Sequence, residues 1–191
     1  ATIALLIASE EITSSLFGYG SFNELSVKNS ANALFYFALG LPAFSFIKIF
    51  SSFLFARHNT KIPFYFSVTS VIINIIISVY YFNKIGFIII PIATTISSWF
   101  NVIILLVYLS NKKYYLLNLS FIKSLLKIML STILTSYIFY NLINYFSHNL
   151  SYNSEYKLPS IILLVIVTFI IYILISILTK AFKISDIKLK Y

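Results

Sequence analysis

Lys48 is the residue in this chain with the clearest chemical potential. It lies inside a long apolar run, with Ser45 and Ser52 at spacings of three and four on the same helical face. A lysine among hydrocarbon is costly, so it must reach water or hold an anion. It lies nine positions before Arg57, roughly 13 Å along a helix, farther than a lysine stem reaches. A cation facing a hydrated cavity and a snorkelling lysine are the two readings. Gly40 and Pro42 stand just upstream, and proline removes one backbone hydrogen bond and bends a helix. Broken helices commonly flank the path of a transporter's substrate. Arg57, the one arginine among fourteen Lys and Arg residues, stands in a turn, Ala56-Arg57-His58-Asn59-Thr60-Lys61, that leads to Pro63.

A second group is made of neutral oxygens. Asn74 and Ser78 are one turn apart, and Thr94 belongs to the next helix of a tight hairpin. Together they offer ligands to a small cation such as sodium; an interhelical hydrogen bond through Asn74 is the equal alternative. No acidic residue falls inside the apolar runs, so any charged ligand must come from elsewhere. His58 and His148 have no partners at metal or triad spacing, and cysteine is absent. Trp99 reads as packing.

The elements that position these residues are membrane helices. Of 191 residues 60% are hydrophobic and 10% charged, with mean hydropathy +0.93. Soluble domains carry about 25% charged residues. The apolar runs are continuous rather than alternating, which excludes a β-barrel. The fold class is all-α, a polytopic transmembrane helix bundle. Spans need about 20 apolar residues. They are expected at about 31–56, 63–82, 85–110, 122–146 and 158–180, after a partial helix within 1–17, with the hairpin turn at Asn83-Lys84. The chain begins at Ala1 inside an apolar run and reads as the carboxy-terminal part of a larger protein.

The net charge of +9 gathers at helix ends, so it reads as topology and not as nucleic-acid binding. Arg57 and Lys61 mark one side, as do Lys112, Lys113, Lys123 and Lys127, and Lys180, Lys183, Lys188 and Lys190 with Asp186. The opposite connections hold Glu10, Glu11, Glu24 and Lys28; Lys84; and Glu155 with Lys157. Positive loops face the cytoplasm, which places the tail inside. Tyr80, Tyr81, Tyr145, Tyr152 and Tyr156 would form an outer aromatic belt, and Tyr114 and Tyr115 an inner one. Ser and Thr stripes recur on every span, including Ser67, Ser70, Asn74 and Ser78; Thr94, Ser97 or Ser98, and Asn101; Lys123, Lys127, Ser131 and Thr135; and Thr168, Tyr172, Ser176 and Lys180. They indicate helix packing or a partly wet interior.

The run Leu39-Gly40-Leu41-Pro42-Ala43-Phe44, with Lys48 and Phe55-Ala56-Arg57-His58-Asn59-Thr60-Lys61-Ile62-Pro63, resembles the lipid II flippases of the MurJ/MviN family. Leu16-Phe17-Gly18-Tyr19-Gly20-Ser21-Phe22, Asn74, and Gly86 to Asn101 with Ala93-Thr94 and Ser98-Trp99-Phe100-Asn101 extend the likeness; the last two helices match only in length and position. The resemblance implies the carboxy-terminal lobe of a fourteen-helix flippase of the MOP superfamily, in the bacterial inner membrane, with its carboxy terminus in the cytoplasm. It implies movement of lipid II, an undecaprenyl-pyrophosphate-linked precursor, to the outer leaflet by alternating access. The prenyl tail would stay in lipid near the last two helices. The partners implied are lipid II, membrane lipids and the absent amino-terminal lobe. No cofactor is implied beyond sodium or the membrane potential as the coupling force. Asn74 and Thr94 match a sodium site found in some relatives, and Ser78 stands where a carboxylate is expected. A relative moving another polyprenyl-linked sugar, or exporting drugs, is the nearest alternative. A metal-dependent prenyl-phosphate transferase is disfavoured, because Asp186 is the only acid on the cytoplasmic side. A non-transporting scaffold is a third class.

Overall fold

The computed structural model describes residues 1–114 and 119–181. Tyr115, Lys183, Asp186, Lys188 and Lys190 therefore lie outside the described residues. Among the described residues eight α-helices follow one another: α1 (Thr2–Ile7), α2 (Ser9–Phe17), α3 (Glu24–Ala56), α4 (Lys61–Ile85), α5 (Ile89–Asn111), α6 (Leu119–Tyr145), α7 (Ser147–Leu150) and α8 (Lys157–Leu178). The described residues contain no strand. Among the described residues, four helical segments are long and apolar enough to cross a membrane. One of them, Lys61–Asn111, has 51 residues, about 75 Å if straight. It is folded back on itself as α4 and α5, which gives five spans. The chain is an all-α polytopic membrane bundle.

Several boundaries differ from the sequence-based expectation, each for a local reason. The helix expected from residue 31 begins at Glu24, because the Asn23 side chain accepts from the Ser26 N–H at 2.9 Å and caps it. Glu24 thus opens a spanning helix that was expected to be free of acids. The first stretch is two helices, broken at Ala8 (φ −116°, ψ 27°). The hairpin turns at Gly86 and not at Asn83-Lys84, which still belong to α4; Gly86 has φ +74°, where a side chain would be strained. A short 3-10 turn, Gly86–Ile88, leads into α5.

Three helices, α3, α5 and α8, end in the same way. His58, Lys113 and Lys180 take left-handed φ of 57°, 55° and 54°. The next residue's N–H reaches back to Leu54, Leu109 and Ser176 respectively, at 3.0 Å each. This is the Schellman closure, here with a basic residue where glycine is usual. A cation at that position lies beside the negative end of the helix dipole.

The helices pack as a row: α4 on α5, α5 on α3, α3 on α1 and α2, and these on the α6–α8 pair. Two apolar cores sit at opposite ends. Leu54, Leu105 and Leu109, with Ile62 and Phe66, join α3, α4 and α5 at the Arg57 end. Ala8, Phe139, Ile143, Leu150, Ile161 and Leu164 join α1, α6, α7 and α8 at the other. The outer faces of the row carry large exposed apolar residues such as Ile75, Val79, Ile133 and Phe169, as a lipid-facing surface does.

Candidate functional site

The middle of α3 is held against α5 by side chains that bond to its backbone. Pro42 has no N–H, so the Ala38 carbonyl loses its usual helical donor. On either side of Ala38, the Thr95 hydroxyl donates to the Tyr36 carbonyl at 2.7 Å, and Trp99 Nε1 donates to the Leu39 carbonyl at 3.1 Å. Gly40 makes this approach possible. A Cβ there would lie 3.0 Å from Thr95 Oγ1 and 3.3 Å from the Phe44 ring. Gly40 and Pro42 therefore mark a close helix–helix seam, and α3 runs through both as one helix. Trp99, read as packing, is 38% exposed and acts through its N–H. Asn101 is buried in the same helix, and its amide oxygen has no partner.

Lys48 lies on the opposite stripe of α3. Lys48, Ser45 and Ser52 are all exposed, on one face. The Ser45 hydroxyl turns back to the Leu41 carbonyl at 3.1 Å. The stripe is a cation with flanking hydroxyls on a helix whose other side is fixed to α5.

Arg57 is placed apart from Lys48. Its guanidinium lies over the Phe53 ring at 4.8 Å and the Tyr114 ring at 4.2 Å, joining the ends of α3 and α5. Next to it, Asn59 Nδ2 donates to the Tyr108 hydroxyl at 3.2 Å, while Asn59 Oδ1 accepts from the Ile62 N–H at 3.3 Å. The basic turn is thus bonded to α5 as well as linking α3 to α4. Pro63 falls in the first turn of α4, where the missing N–H is harmless.

The structure brings Asn74, Ser78 and Thr94 together across the hairpin. Asn74 Nδ2 donates to Thr94 Oγ1 at 3.0 Å and more weakly to Ser97 Oγ at 3.4 Å; Ser78 Oγ reaches Asn74 Oδ1 at 3.5 Å. One turn away the Ser70 hydroxyl donates to the Ser97 carbonyl at 2.6 Å. In this arrangement the Asn74 amide N–H faces the hydroxyls, and the network joins α4 to α5. No carboxylate belongs to it, and the described residues hold no cluster of three His, Cys, Asp or Glu suited to a metal. In α6, Lys123 and Lys127 are exposed while Ser131 and Thr135 are buried; Ser131 Oγ lies 2.7 Å from Thr179 Oγ1 of the α8 end.

Lys157 is the residue that sequence reasoning misplaced. Its place beside Glu155 in the sequence points to a connection, yet it is the first residue of α8 and only 2% exposed. Its ammonium donates to the Gly18 carbonyl at 2.6 Å and the Tyr152 carbonyl at 2.8 Å. It also lies 4.2 Å and 4.8 Å from the Tyr19 and Tyr152 ring centres. Tyr152 in turn donates from its hydroxyl to the Phe22 carbonyl at 2.9 Å, so it is a tertiary clasp. Tyr80, Tyr81, Tyr145 and Tyr156 are exposed. A cavity of about 380 Å³, lined among others by Ala4, Thr135, Phe139, Val165, Thr168 and Tyr172, opens between α1, α6 and α8.

Comparison with known proteins adds a family to this geometry. The family described as lipid II flippase MurJ matches residues 1–159. A probable lipid II flippase MurJ of Rickettsia prowazekii (strain Madrid E) is 34% identical over 116 residues, which are 61% of this chain and 23% of that protein. One from Rhizobium meliloti (strain 1021) is 35% identical over 105 residues, 55% of this chain and 20% of the relative. One from Thermotoga maritima is 30% identical over 188 residues, 97% of this chain and 36% of the relative. The chain thus spans between a fifth and little more than a third of the length of these relatives.

Proposed function

Because the chain belongs to the lipid II flippase MurJ family, we propose that it forms the carboxy-terminal lobe of a lipid II flippase, a transporter and not an enzyme. The family match over residues 1–159 carries this reading. The physical logic supports it. A pyrophosphate–sugar headgroup cannot cross hydrocarbon unaided, and a cation lining a wet passage lowers that barrier. Lys48, on the stripe of α3 turned away from α5, is the residue of this lobe placed to meet the headgroup. The cavity between α1, α6 and α8 suits a prenyl tail, since it is open to the bundle surface and mainly apolar. The amino-terminal lobe of the same protein supplies the other wall. Movement is from the inner to the outer leaflet of the bacterial inner membrane.

The test is translocation of fluorescent lipid II by the full-length protein in proteoliposomes, with and without a sodium gradient. Accessibility of the headgroup should rise above that of empty vesicles, and a rate equal to theirs contradicts the function. Sodium, through Asn74, Ser78 and Thr94, is the proposed coupling ion; a rate indifferent to the gradient refutes that part alone and leaves the membrane potential. In cells, cysteines at Asn83 and Asn153 should react with an impermeant thiol reagent from outside, and cysteines at Asn59 and Asn111 should not. The reverse pattern would overturn the orientation inferred from the basic loops.

A further inference from the structure

Lys157 opens α8 with its side chain buried, although a lysine at the end of a membrane helix ordinarily snorkels to the headgroups. Its ammonium is held by two carbonyls from outside α8, Gly18 at 2.6 Å and Tyr152 at 2.8 Å, and by the Tyr19 and Tyr152 rings. Tyr152 is fastened in turn to the Phe22 carbonyl. These partners belong to the turn between α2 and α3 and to the connection between α7 and α8. The lysine therefore fixes where α8 starts and which way that start points.

The direction matters because the same face of α8 meets the rest of the bundle. Lys157, Ile161, Leu164, Thr168 and Tyr172 follow at spacings of four, three, four and four, so they share a helix face. Ile161 and Leu164 are buried in the apolar core with Ala8 and Phe139. Thr168 and Tyr172, one and two turns further on, line the cavity of about 380 Å³ between α1, α6 and α8. The Thr168 hydroxyl donates to the Leu164 carbonyl at 2.6 Å and so is satisfied within its own helix.

Apolar packing is a poor guide to that rotation. Between Leu158 and Leu178 the polar side chains are Ser160, Thr168, Tyr172 and Ser176, and the rest of α8 is apolar all round. Ile162, Ile166, Ile170 and Ile173, exposed on other faces, are as apolar as the buried residues. Lipid tails are as apolar as leucine, so the hydrophobic effect gives little preference for burying one such face over another. Polar ties make one rotation unlike the rest. Lys157 supplies one at the start of α8, and Thr179, 2.7 Å from Ser131 of α6, supplies another at its end.

We propose that Lys157 is a positioning residue for the prenyl chain: it sets the rotation of α8 that turns Thr168 and Tyr172 toward the cavity. The inference rests on the assignment of that cavity to the tail of lipid II. A slip of one residue turns the helix by about 100° and brings Ile173 to the place of Tyr172, so the lining changes while α8 still spans.

The experiment uses the full-length protein in phosphatidylcholine nanodiscs, with any cysteine elsewhere replaced. Ser131→Cys with Thr179→Cys reports the rotation of α8 through the rate of disulfide formation, and removes the second polar tie so that rotation depends on Lys157. Geranylgeraniol reports the tail cavity, and a lipid II analogue with a short, water-soluble tail reports the headgroup site. Lys157→Met should insert, form the disulfide about tenfold more slowly and, without the two cysteines, bind geranylgeraniol about tenfold more weakly, a size usual for coupling between separated groups. The short-tailed analogue should bind as it does to the parent. Lys157→Arg, which keeps charge and donors, should restore part of both losses. Should Lys157→Met fail to fold, Tyr152→Phe loosens the same clasp and should shift both readouts in the same direction. An unchanged disulfide rate, an unchanged geranylgeraniol affinity, or equal weakening of both ligands would overturn the proposal. If the parent binds neither ligand, the flippase reading fails, and the disulfide rate alone decides whether Lys157 sets the rotation.

Discussion

The α3–α4–α5 unit and the α6–α8 pair are joined to their surroundings in opposite ways. Between α3 and α5, contacts run from the middle of α3 to its end: Thr95 and Trp99 to the backbone near Pro42, the leucine core below, and Arg57 on Tyr114 at the end. The hairpin adds Asn74 to Thr94 and Ser70 to Ser97. The α6–α8 pair is tied through α1 and α2, with Lys157 and Tyr152 at one end. At its other end, Ser131 and Thr179 bond the pair to itself. The first region is a braced block that holds a cation at a fixed place. The second is a pair of helices anchored through α1, α2 and the Lys157 end, beside the cavity lined by Phe139 and Tyr172.

The tether is where this contrast breaks most easily. Lys157→Met leaves the Gly18 and Tyr152 carbonyls without their donor, at a cost of about 2–5 kcal/mol. Hydrogen exchange on the full-length protein should show α7 and α8 losing protection while α3 and α5 keep theirs. Equal loss in both regions would show that they are not separate units. The seam comes next. Gly40→Leu overpacks α3 against Thr95 and Phe44, costing about 1–3 kcal/mol, and should loosen α3 and α5 with α8 unaffected. If its melting temperature matches the parent's, the close approach at Gly40 is not a structural requirement. The smallest effect is expected at Asn74→Ala, which removes one interhelical bond worth about 0.6 kcal/mol in a membrane. A loss of several kcal/mol would mean that Asn74 organises more than the hairpin.

The spans were legible because hydrophobic runs of that length have one physical meaning. Their ends were less so. Asn23 is a good capping residue, but the apolar run alone points to residue 31. Gly86 was available as a turn signal, yet Asn83-Lys84 drew the turn by polarity. The meeting of Asn74 with Thr94 follows from hairpin spacing. Lys157 could not be read: next to Glu155 and Pro159 it looks like a loop charge, and its partner Gly18 is 139 residues away. The same holds for Thr95 and Trp99, whose hydrogen bonds to α3 carbonyls depend on how two helices lie together. Polar residues that bond to a distant backbone leave no local pattern. The Asn23 cap and the left-handed basic residues after α3, α5 and α8 do leave one, at the ends of elements.

The central claim is that α3 presents Lys48 to the substrate from a braced helix. It is tested most directly by complementation of flippase-depleted cells with the full-length protein carrying Lys48→Met, with Lys48→Arg alongside and protein abundance measured for both. Methionine keeps the length of the side chain and removes its charge; arginine keeps the charge and changes its shape and donors. The account predicts normal abundance for both, failure of Lys48→Met and partial growth with Lys48→Arg. Full complementation by Lys48→Met at normal abundance would contradict it.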